Sequence, residues 1–213
     1  ERHERDFVVE VERGDVSTSI ADGASVDWAA AFGREAPLIV EIGSGAGDSL
    51  VPMAAGRPEA NVVAFEVFEP AIASTLGKLG RQGVSNVRLV IADGAQGLTT
   101  LFADGSVAEL WTFFADPWHK KRHHKRRLVS TEFATVVARK LAPGGVWRLA
   151  TDWEDYALWM REHLDAAPGL RNEHDGWAPR LAERPVTRYE AKGIAAGRRV
   201  YDLAYRRADA AQD

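Results

Sequence analysis

The chain has no cysteine among its 213 residues. Disulfide bonds, thiolate nucleophiles and cysteine-ligated zinc are therefore excluded, and the composition fits a reducing compartment such as the cytoplasm. No apolar run approaches the roughly 20 residues of a membrane-spanning helix, and no segment has the pattern of a secretory signal peptide. We therefore expect a cytoplasmic protein that does not associate with membranes. Because the sequence begins without Met, we also expect that an N-terminal piece is missing or trimmed.

An overall excess of positive charge is also lacking. The chain carries 27 Lys and Arg against 31 Asp and Glu, a formal charge of −4, which is unusual for a protein that binds nucleic acid. However, the basic tract from Lys120 to Arg127 contains six Lys or Arg and two His in eight positions, and the rest of the chain has 21 basic against 31 acidic residues. The positive charge is thus local, as expected of a surface that binds phosphates.

Predicted strands and helices alternate along most of the chain. The strands are predicted from apolar runs at 38–42, 62–66, 87–91, 110–114 and 146–150, and the helices at about 48–55, 70–79, 130–141 and 153–164. This alternation predicts an α/β fold with a doubly wound, mostly parallel sheet. A chain of this length with 46% hydrophobic residues can bury one sizeable core, so we expect a single domain over residues 1–213.

The two ends of the chain depart from this alternation. Residues 1–32 mix charges with Gly, Asp and Ser and predict a flexible N-terminal arm that leads into a short helix around Trp28. Residues 170–174 and 200–205 are predicted to pair as an antiparallel edge of the sheet, joined by a long loop over 185–197. Loops of this length are usually functional or disordered.

A glycine loop follows the first predicted strand. Gly43, Gly45 and Gly47 let a ligand approach the backbone, and the next helix offers free N–H groups at its start. The spacing G-x-G-x-G differs from the G-x-G-x-x-G of dinucleotide-binding folds, so a cofactor other than NAD is favoured. A tight turn without a ligand remains the alternative.

Three acids accompany the glycine loop at successive strand ends. Glu41 lies inside an apolar strand, where its carboxylate needs a partner such as a cationic or amine-bearing ligand. Glu66 ends the second strand, near the position where an acid binds ribose hydroxyls in nucleotide-binding α/β folds. Asp93 follows the third strand and is placed to accept from an adenine amino group. Glu66 or Asp93 alone is more often a solvated loop residue, but three acids at successive strand ends above a glycine loop favour a binding site.

Asp116 is predicted to stand at the carboxyl end of the fourth strand, because Pro117 prevents further strand pairing. Ligands of open α/β sheets bind at this edge, and the basic tract begins four residues later. A solvated face is the alternative for the tract. His119 and His123 have a spacing that raises the possibility of a metal site, but the tract holds no carboxylate to complete one, so we expect no metal.

Two later features are less specific. Asp152 follows the fifth strand and is predicted to face the same crevice; a role as the cap of the next helix is the alternative, and the two roles can coexist. The segment Thr187-Arg188-Tyr189-Glu190 lies in the long loop and offers a hydroxyl, an aromatic ring and a carboxylate, which are the groups that hold and stack on a base.

Taken together, these residues resemble the bacterial tRNA (guanine-N7-)-methyltransferase family, of the TrmB type. The resemblance covers roughly residues 40–205, and its specific parts are the Asp116-Pro117-Trp118 turn with the basic tract and the late Thr-x-x-Glu of Thr187 to Glu190. The glycine loop alone would indicate only a Rossmann-like class I methyltransferase that uses S-adenosylmethionine.

The resemblance implies transfer of a methyl group from S-adenosylmethionine to N7 of guanine 46, in the variable loop of tRNA. It implies that Asp116 is catalytic and that the cofactor is bound by Glu41, Gly43, Gly45, Glu66, Asp93 and Asp116. It implies substrate binding by Lys120, Asp152, Thr187, Arg188, Tyr189 and Glu190, and RNA binding by Arg122, His123, His124, Lys125, Arg126 and Arg127. The partner it implies is tRNA, and no obligatory protein partner is expected.

The sequence departs from the family pattern at a few positions. His119 stands where we expect proline, Ala115 replaces another proline, and Arg198 stands where we expect His. These departures bear on the rigidity of the turn and on some substrate contacts, but not on the carboxylates. The alternatives are a class I methyltransferase for a small molecule or another RNA, a non-catalytic RNA-binding protein on a methyltransferase fold, and an NAD-dependent oxidoreductase.

Overall fold

The computed structural model describes residues 6–208. Within them, seven strands form one sheet in the order β3-β2-β1-β4-β5-β7-β6. The first five strands are parallel, and β7 is antiparallel to both of its neighbours. The strands are β1 (Leu38–Ile42), β2 (Asn61–Phe65), β3 (Val87–Val90), β4 (Val107–Phe113), β5 (Leu141–Thr151), β6 (Leu170–Asn172) and β7 (Tyr201–Arg207). The predicted α/β fold, including its antiparallel C-terminal edge, is confirmed.

The helices lie between the strands, as a doubly wound sheet requires. They are α1 (Trp28–Phe32), α2 (Leu50–Ala55), α3 (Glu69–Gln82), α4 (Gly94–Leu101), α5 (Thr131–Lys140), α6 (Glu154–Asp165) and α7 (Arg188–Ala195). Side chains cap several of them: the Ser130 hydroxyl accepts from Phe133 N at the start of α5.

Hydrophobic residues cover both faces of the sheet. Along β4, Leu110 belongs to one core cluster and its neighbour Trp111 to the other, because successive strand residues point to opposite faces. Trp111 and Trp147 are fully buried. This two-sided core fixes the carboxyl ends of β1, β2, β4 and β5, which carry the predicted site.

The structure differs from the sequence prediction at two elements. Helix α4 was not predicted, because Gly94 and Gly97 weaken its helix propensity. Both glycines are needed for close packing, since a Cβ at Gly97 would lie 2.2 Å from the Phe65 ring. The end of α5 was predicted to within one residue, but β5 begins earlier than predicted: Leu141 already pairs with Val107, and residues 142–145 fall in a register shift before Val146.

The N-terminal segment lies against the sheet where it is described. Phe7 O accepts from Leu89 N at 2.7 Å, and Val9 N donates to Leu89 O at 2.9 Å, so this segment extends the sheet beyond β3. Further along, Thr18 O accepts from Asp93 N at 2.8 Å. The short helix predicted around Trp28 is α1. Residues 1–5 of the predicted arm lie outside the described residues, and its flexibility stays a prediction.

None of the helices within residues 6–208 is long and apolar enough to cross a membrane.

Candidate active site

The glycine loop forms one wall of a cavity at the carboxyl ends of the parallel strands. Gly43, Gly45 and Gly47 have φ angles of 78°, 55° and 77°, which favour glycine. A Cβ at Gly47 would also lie 2.7 Å from Thr75 Oγ1. The cavity has a volume of about 190 Å³, and its lining includes the loop, Glu41, Phe113, Phe114, Thr187 and Tyr189.

Glu41 is the buried acid of this cavity. Its residue is 3% exposed, and its Oε2 atom is buried without a hydrogen-bond partner among the described residues. Burial, together with a smaller contribution from the charge of Glu66, raises the pKa of Glu41 to about 8. An unpaired carboxyl group on the wall of a cavity is well placed for a cationic ligand group.

Glu66 joins the end of β2 to the glycine loop. Its Oε2 accepts from Gly45 N at 2.8 Å, and its Oε1 accepts from Val67 N at 2.7 Å and Phe68 N at 2.9 Å. Asp93, at the next strand end, accepts from Gln96 N at 2.8 Å and so caps α4. Both acids lie at the carboxyl edge of the sheet, as predicted.

Asp116 lies on an exposed turn after β4. Its Oδ1 accepts from Trp118 N at 2.9 Å. The turn is flanked by two aromatic residues with positive φ, Phe114 at 57° and Trp118 at 47°. Such conformations cost on the order of 1–3 kcal/mol each for bulky residues and are found mostly at functional sites. The backbone is therefore strained on both sides of Asp116.

The basic tract folds as a 3-10 helix over Lys121–Arg126. Lys120, Lys121, Arg122, Lys125 and Arg126 are exposed. The Arg126 guanidinium lies 5.0 Å from the centroid of the Trp118 ring, and the His123 ring meets the same ring edge-on at 5.9 Å. The cations of the tract therefore lie directly beside the Asp116 turn.

Arg127 and His124, both predicted to contact RNA, point away from that exposed face. The Arg127 side chain is 0% exposed. Its Nε donates to Pro117 O at 2.8 Å and one terminal nitrogen donates to Asp155 Oδ2 at 2.5 Å. His124 is half-buried, with its ring 5.5 Å from that of Trp159. The Lys, Arg and His residues of the basic tract are therefore of two kinds: most are exposed, whereas Arg127 and His124 are turned toward the protein.

Asp152 does not cap α6, which was one of its two predicted roles. The N-cap of α6 is Trp153, while Asp152 faces α7 and the start of β7. Its Oδ2 accepts from Arg198 Nε at 2.7 Å, and its Oδ1 accepts from the Tyr189 hydroxyl at 3.3 Å. The Tyr189 ring meets Phe114 edge-on at 5.4 Å. The late segment is therefore joined to the end of β5 through Asp152 and to the end of β4 through Tyr189.

The late segment is helical, whereas we predicted a loop. Thr187 caps α7 by accepting from Glu190 N at 3.2 Å. Arg188 and Tyr189 are exposed. Glu190 is only 1% exposed, and its carboxylate accepts from Arg180 at 3.0 and 3.1 Å.

Arg184 was missed by sequence reasoning. It is 1% exposed, donates to Asp202 at 2.7 and 3.2 Å, and lies 5.2 Å and 5.4 Å from the ring centroids of Phe113 and Phe114. It lies 3.5 Å from Glu190. An arginine in a polar stretch carries no sequence signal of burial, because its partners lie on other elements.

His119 and His123 lie against aromatic rings. His119 is 4.1 Å from the Trp153 ring by centroids, and His123 lies against Trp118. In the part of the chain that the structure describes, no three His, Asp or Glu side chains cluster in a way that could hold a metal ion.

Comparisons with known proteins cover most of the chain. Residues 35–203 match a family described as "Putative methyltransferase". The 16S rRNA methyltransferase KamB has a similar fold, with a TM-score of 0.63 over 93% of this chain and 100% of that one, at 14% identity.

Two curated relatives are much more similar in sequence. A tRNA (guanine-N(7)-)-methyltransferase of Cutibacterium acnes is 54% identical over 95% of this chain and 75% of the relative. A tRNA (guanine-N(7)-)-methyltransferase of a Nocardioides species is 53% identical over 99% of this chain and 84% of the relative. Since more than half of the residues are identical across nearly the whole chain, the chain belongs to the tRNA (guanine-N(7)-)-methyltransferase family.

Proposed function

We propose that the protein transfers a methyl group from S-adenosylmethionine to N7 of guanine 46, in the variable loop of tRNA. The observation that carries the proposal is the position of Asp116, an exposed carboxylate between the glycine-loop cavity and the basic tract. The glycine-loop cavity suits a small charged cofactor, and the basic tract suits a phosphate backbone. We further propose that the protein acts in the cytoplasm without an obligatory protein partner.

The residues of the cavity fit S-adenosylmethionine. The unpaired Oε2 of Glu41 suits the amino group of its methionine part, and Gly43 and Gly45 leave room beside it. Glu66 is proposed to bind the ribose, as a strand-end acid does in nucleotide-binding α/β folds, and Asp93 is proposed to bind the adenine. When bound, S-adenosylmethionine supplies an electrophilic methyl group on a sulfonium. The chain has to hold this group in line with its acceptor.

Asp116 is proposed to orient the guanine and to stabilise its developing charge. Guanine N7 carries an in-plane lone pair and no proton at neutral pH, so its attack needs no general base. With Oδ1 bonded to Trp118 N, the carboxylate still has acceptor capacity for the guanine N1–H and amino group. Its negative charge also stabilises the positive charge that spreads over the purine during methyl transfer.

The groups around Asp116 are proposed to hold the extruded base. The Tyr189 ring is 53% exposed and offers a stacking surface beside Phe114, and Arg188 adds a guanidinium plane at the start of α7. Thr187 and Glu190 are proposed to act through α7, and Asp152 through Tyr189. Lys120 lies at the junction of the turn and the tract, where a phosphate next to the target nucleotide would pass.

The exposed cations of the basic tract are proposed to bind the tRNA backbone. Because such binding releases counterions from the RNA, its affinity should fall steeply as salt rises.

The test is incubation with unmodified tRNA and methyl-labelled S-adenosylmethionine, followed by nucleoside digestion. Label in 7-methylguanosine is expected, and a transcript with adenine in place of guanine 46 should lose it. Label in another nucleoside, or 7-methylguanosine retained by the altered transcript, would move the target. Absence of label despite binding of both substrates would contradict catalysis and favour an RNA-binding role.

A further inference from the structure

The last cation of the basic tract has surroundings unlike those of its neighbours. The Arg127 guanidinium lies between two rings of α6, 4.9 Å from the centroid of Tyr156 and 5.0 Å from that of Trp159. Its terminal Nη1 atom is buried without a hydrogen-bond partner among the described residues. An arginine enclosed in this way has no surface to offer a phosphate.

The hydrogen bonds of Arg127 connect α6 to the Asp116 turn. Pro117 O, which accepts from Nε, belongs to the residue directly after Asp116. Asp155, which accepts from the other side of the guanidinium, lies in the first turn of α6. The hydrogen bond from Arg127 holds the pKa of Asp155 below its usual range. The Arg127 guanidinium thus joins the Pro117 carbonyl to α6, a helix whose Tyr156 is fully buried in the core.

The turn itself needs such a support. Asp116 lies between two residues with strained backbone, Phe114 and Trp118, and strained conformations persist only where the surrounding structure enforces them. Trp118 N donates to Asp116 Oδ1 inside the turn, whereas Arg127 holds the turn from outside. A displacement of the carboxylate by about 1 Å can cost on the order of a hundredfold in rate.

We propose that Arg127 is a positioning residue that fixes the Asp116 turn against α6, and that it makes no contact with RNA. The inference rests on the proposed methyl transfer to tRNA, in which Asp116 orients the base. The sequence prediction that Arg127 binds RNA is replaced by this role, while Arg122, Lys125 and Arg126 keep theirs.

The experiment compares Arg127→Lys and Arg127→Gln with Arg126→Gln, the exposed neighbour, and Arg139→Gln, a half-exposed arginine on α5 at the opposite end of the sheet. For each protein we would measure kcat at saturating tRNA, the tRNA Kd over a series of salt concentrations, and the Kd for S-adenosylhomocysteine. The last value reports whether the protein is folded, and Arg139→Gln should match the unaltered protein in all three.

The expected results separate the two arginines. Arg126→Gln should weaken tRNA binding and reduce the slope of log Kd against log salt by about 0.7 to 0.9, the contribution of one phosphate contact. Arg127→Lys should lower kcat by roughly ten- to a hundredfold, and Arg127→Gln further, with the salt slope and tRNA Kd unchanged. A salt slope reduced in Arg127→Gln as in Arg126→Gln, with kcat intact in both Arg127 variants, would overturn the proposal.

Asp155→Asn provides a second variant should both Arg127 variants lose cofactor binding through misfolding. This variant keeps Arg127 and removes only the negative charge of its partner Asp155. We expect kcat to fall about threefold to tenfold, because the hydrogen bond loses its charged acceptor. Unchanged kcat in Asp155→Asn would then contradict the positioning role. If the unaltered protein makes no 7-methylguanosine, the proposed function fails, whereas the salt slopes still decide whether Arg127 contacts RNA.

Discussion

The Oε2 atom of Glu66 accepts a hydrogen bond of 2.8 Å from the backbone N–H of Gly45, which ties the end of β2 to the glycine loop after β1. The second carboxylate oxygen of Glu66 accepts from the backbone N–H groups of Val67 and Phe68, which lie between β2 and α3. One side chain thus organises two neighbouring loops of the cavity. Its predicted role in binding a ribose is therefore combined with a role in shaping the loop.

Glu66→Gln should weaken cofactor binding by about tenfold to a hundredfold, as expected for loss of a charge-assisted hydrogen bond. The amide can present only one oxygen, so either Gly45 N or Val67 and Phe68 N lose their acceptor. Calorimetric titration with S-adenosylhomocysteine measures the effect. Glu69→Gln, an exposed acid three residues later, is the matched control and should bind normally. Equal affinities for the two variants would show that Glu66 does not organise the site.

The stability of the protein without cofactor should depend on the protonation of Glu41. Its pKa is about 8 in the folded protein and 4.5 for an ordinary glutamate, so the folded state favours the neutral form. This contribution is complete below about pH 4.5 and is lost as the pH rises toward 8. Relative to Glu41→Gln, the unaltered protein should therefore lose roughly 5 °C or more of melting temperature between pH 5 and pH 8. If the melting temperatures of the two proteins changed equally between pH 5 and pH 8, this would contradict a buried, unpaired carboxyl group at Glu41.

The strand-end acids could be predicted because a parallel sheet brings the carboxyl ends of its strands to one edge. Four apolar runs, each with an acid near its end or within a few residues after it, were enough to group Glu41, Glu66, Asp93 and Asp116. Helix α7 was missed although Thr187-x-x-Glu190 matches a helix-start signature. Gly193 and Gly197 lower the helix propensity of this segment and obscured that signal.

The burial of Arg127 could not be predicted from the sequence. Arg126 and Arg127 are the same residue type at adjacent positions of the basic tract, so the tract alone does not distinguish them. What differs is the position of Tyr156 and Trp159 on a helix about thirty residues later, and this depends on the tertiary fold. For the same reason Asp152 was given a capping role beside its crevice-facing role, since its partner Tyr189 lies on a segment that was predicted as a loop.

Asp116→Asn should lower kcat on tRNA by about a hundredfold, the typical effect of removing one electrostatic contact with a transition state. The asparagine oxygen can still accept from Trp118 N, so the turn should keep its shape and the tRNA Kd should stay within twofold. Single-turnover methylation with saturating protein measures the effect. Asp175→Asn, on an exposed bend after β6, is the control for the same chemical change. Turnover of Asp116→Asn within about threefold of the unaltered protein would refute the electrostatic role.

Gly193→Ala should displace α7 from the site. A Cβ at this position would lie 2.8 Å from Asp152 Oδ2 and 3.2 Å from a terminal nitrogen of Arg198. Because the Asp152 carboxylate holds both Arg198 and Tyr189, the added methyl group must break or lengthen these bonds. We expect kcat/KM for tRNA to fall at least tenfold, with a smaller effect on cofactor affinity, since loss of one buried charged hydrogen bond has about this effect.

Gly80→Ala is the matched control for this substitution. Gly80 lies in α3, and a Cβ there would have no atom within 4 Å. In that helix the exchange should leave kcat/KM unchanged and raise the free energy of unfolding by about 0.4–1 kcal/mol, because alanine favours the helix. Steady-state methylation and urea unfolding of the two variants test both expectations. Normal kcat/KM in Gly193→Ala would mean that α7 tolerates displacement, and that the contact between Asp152 and Tyr189 does not position the substrate.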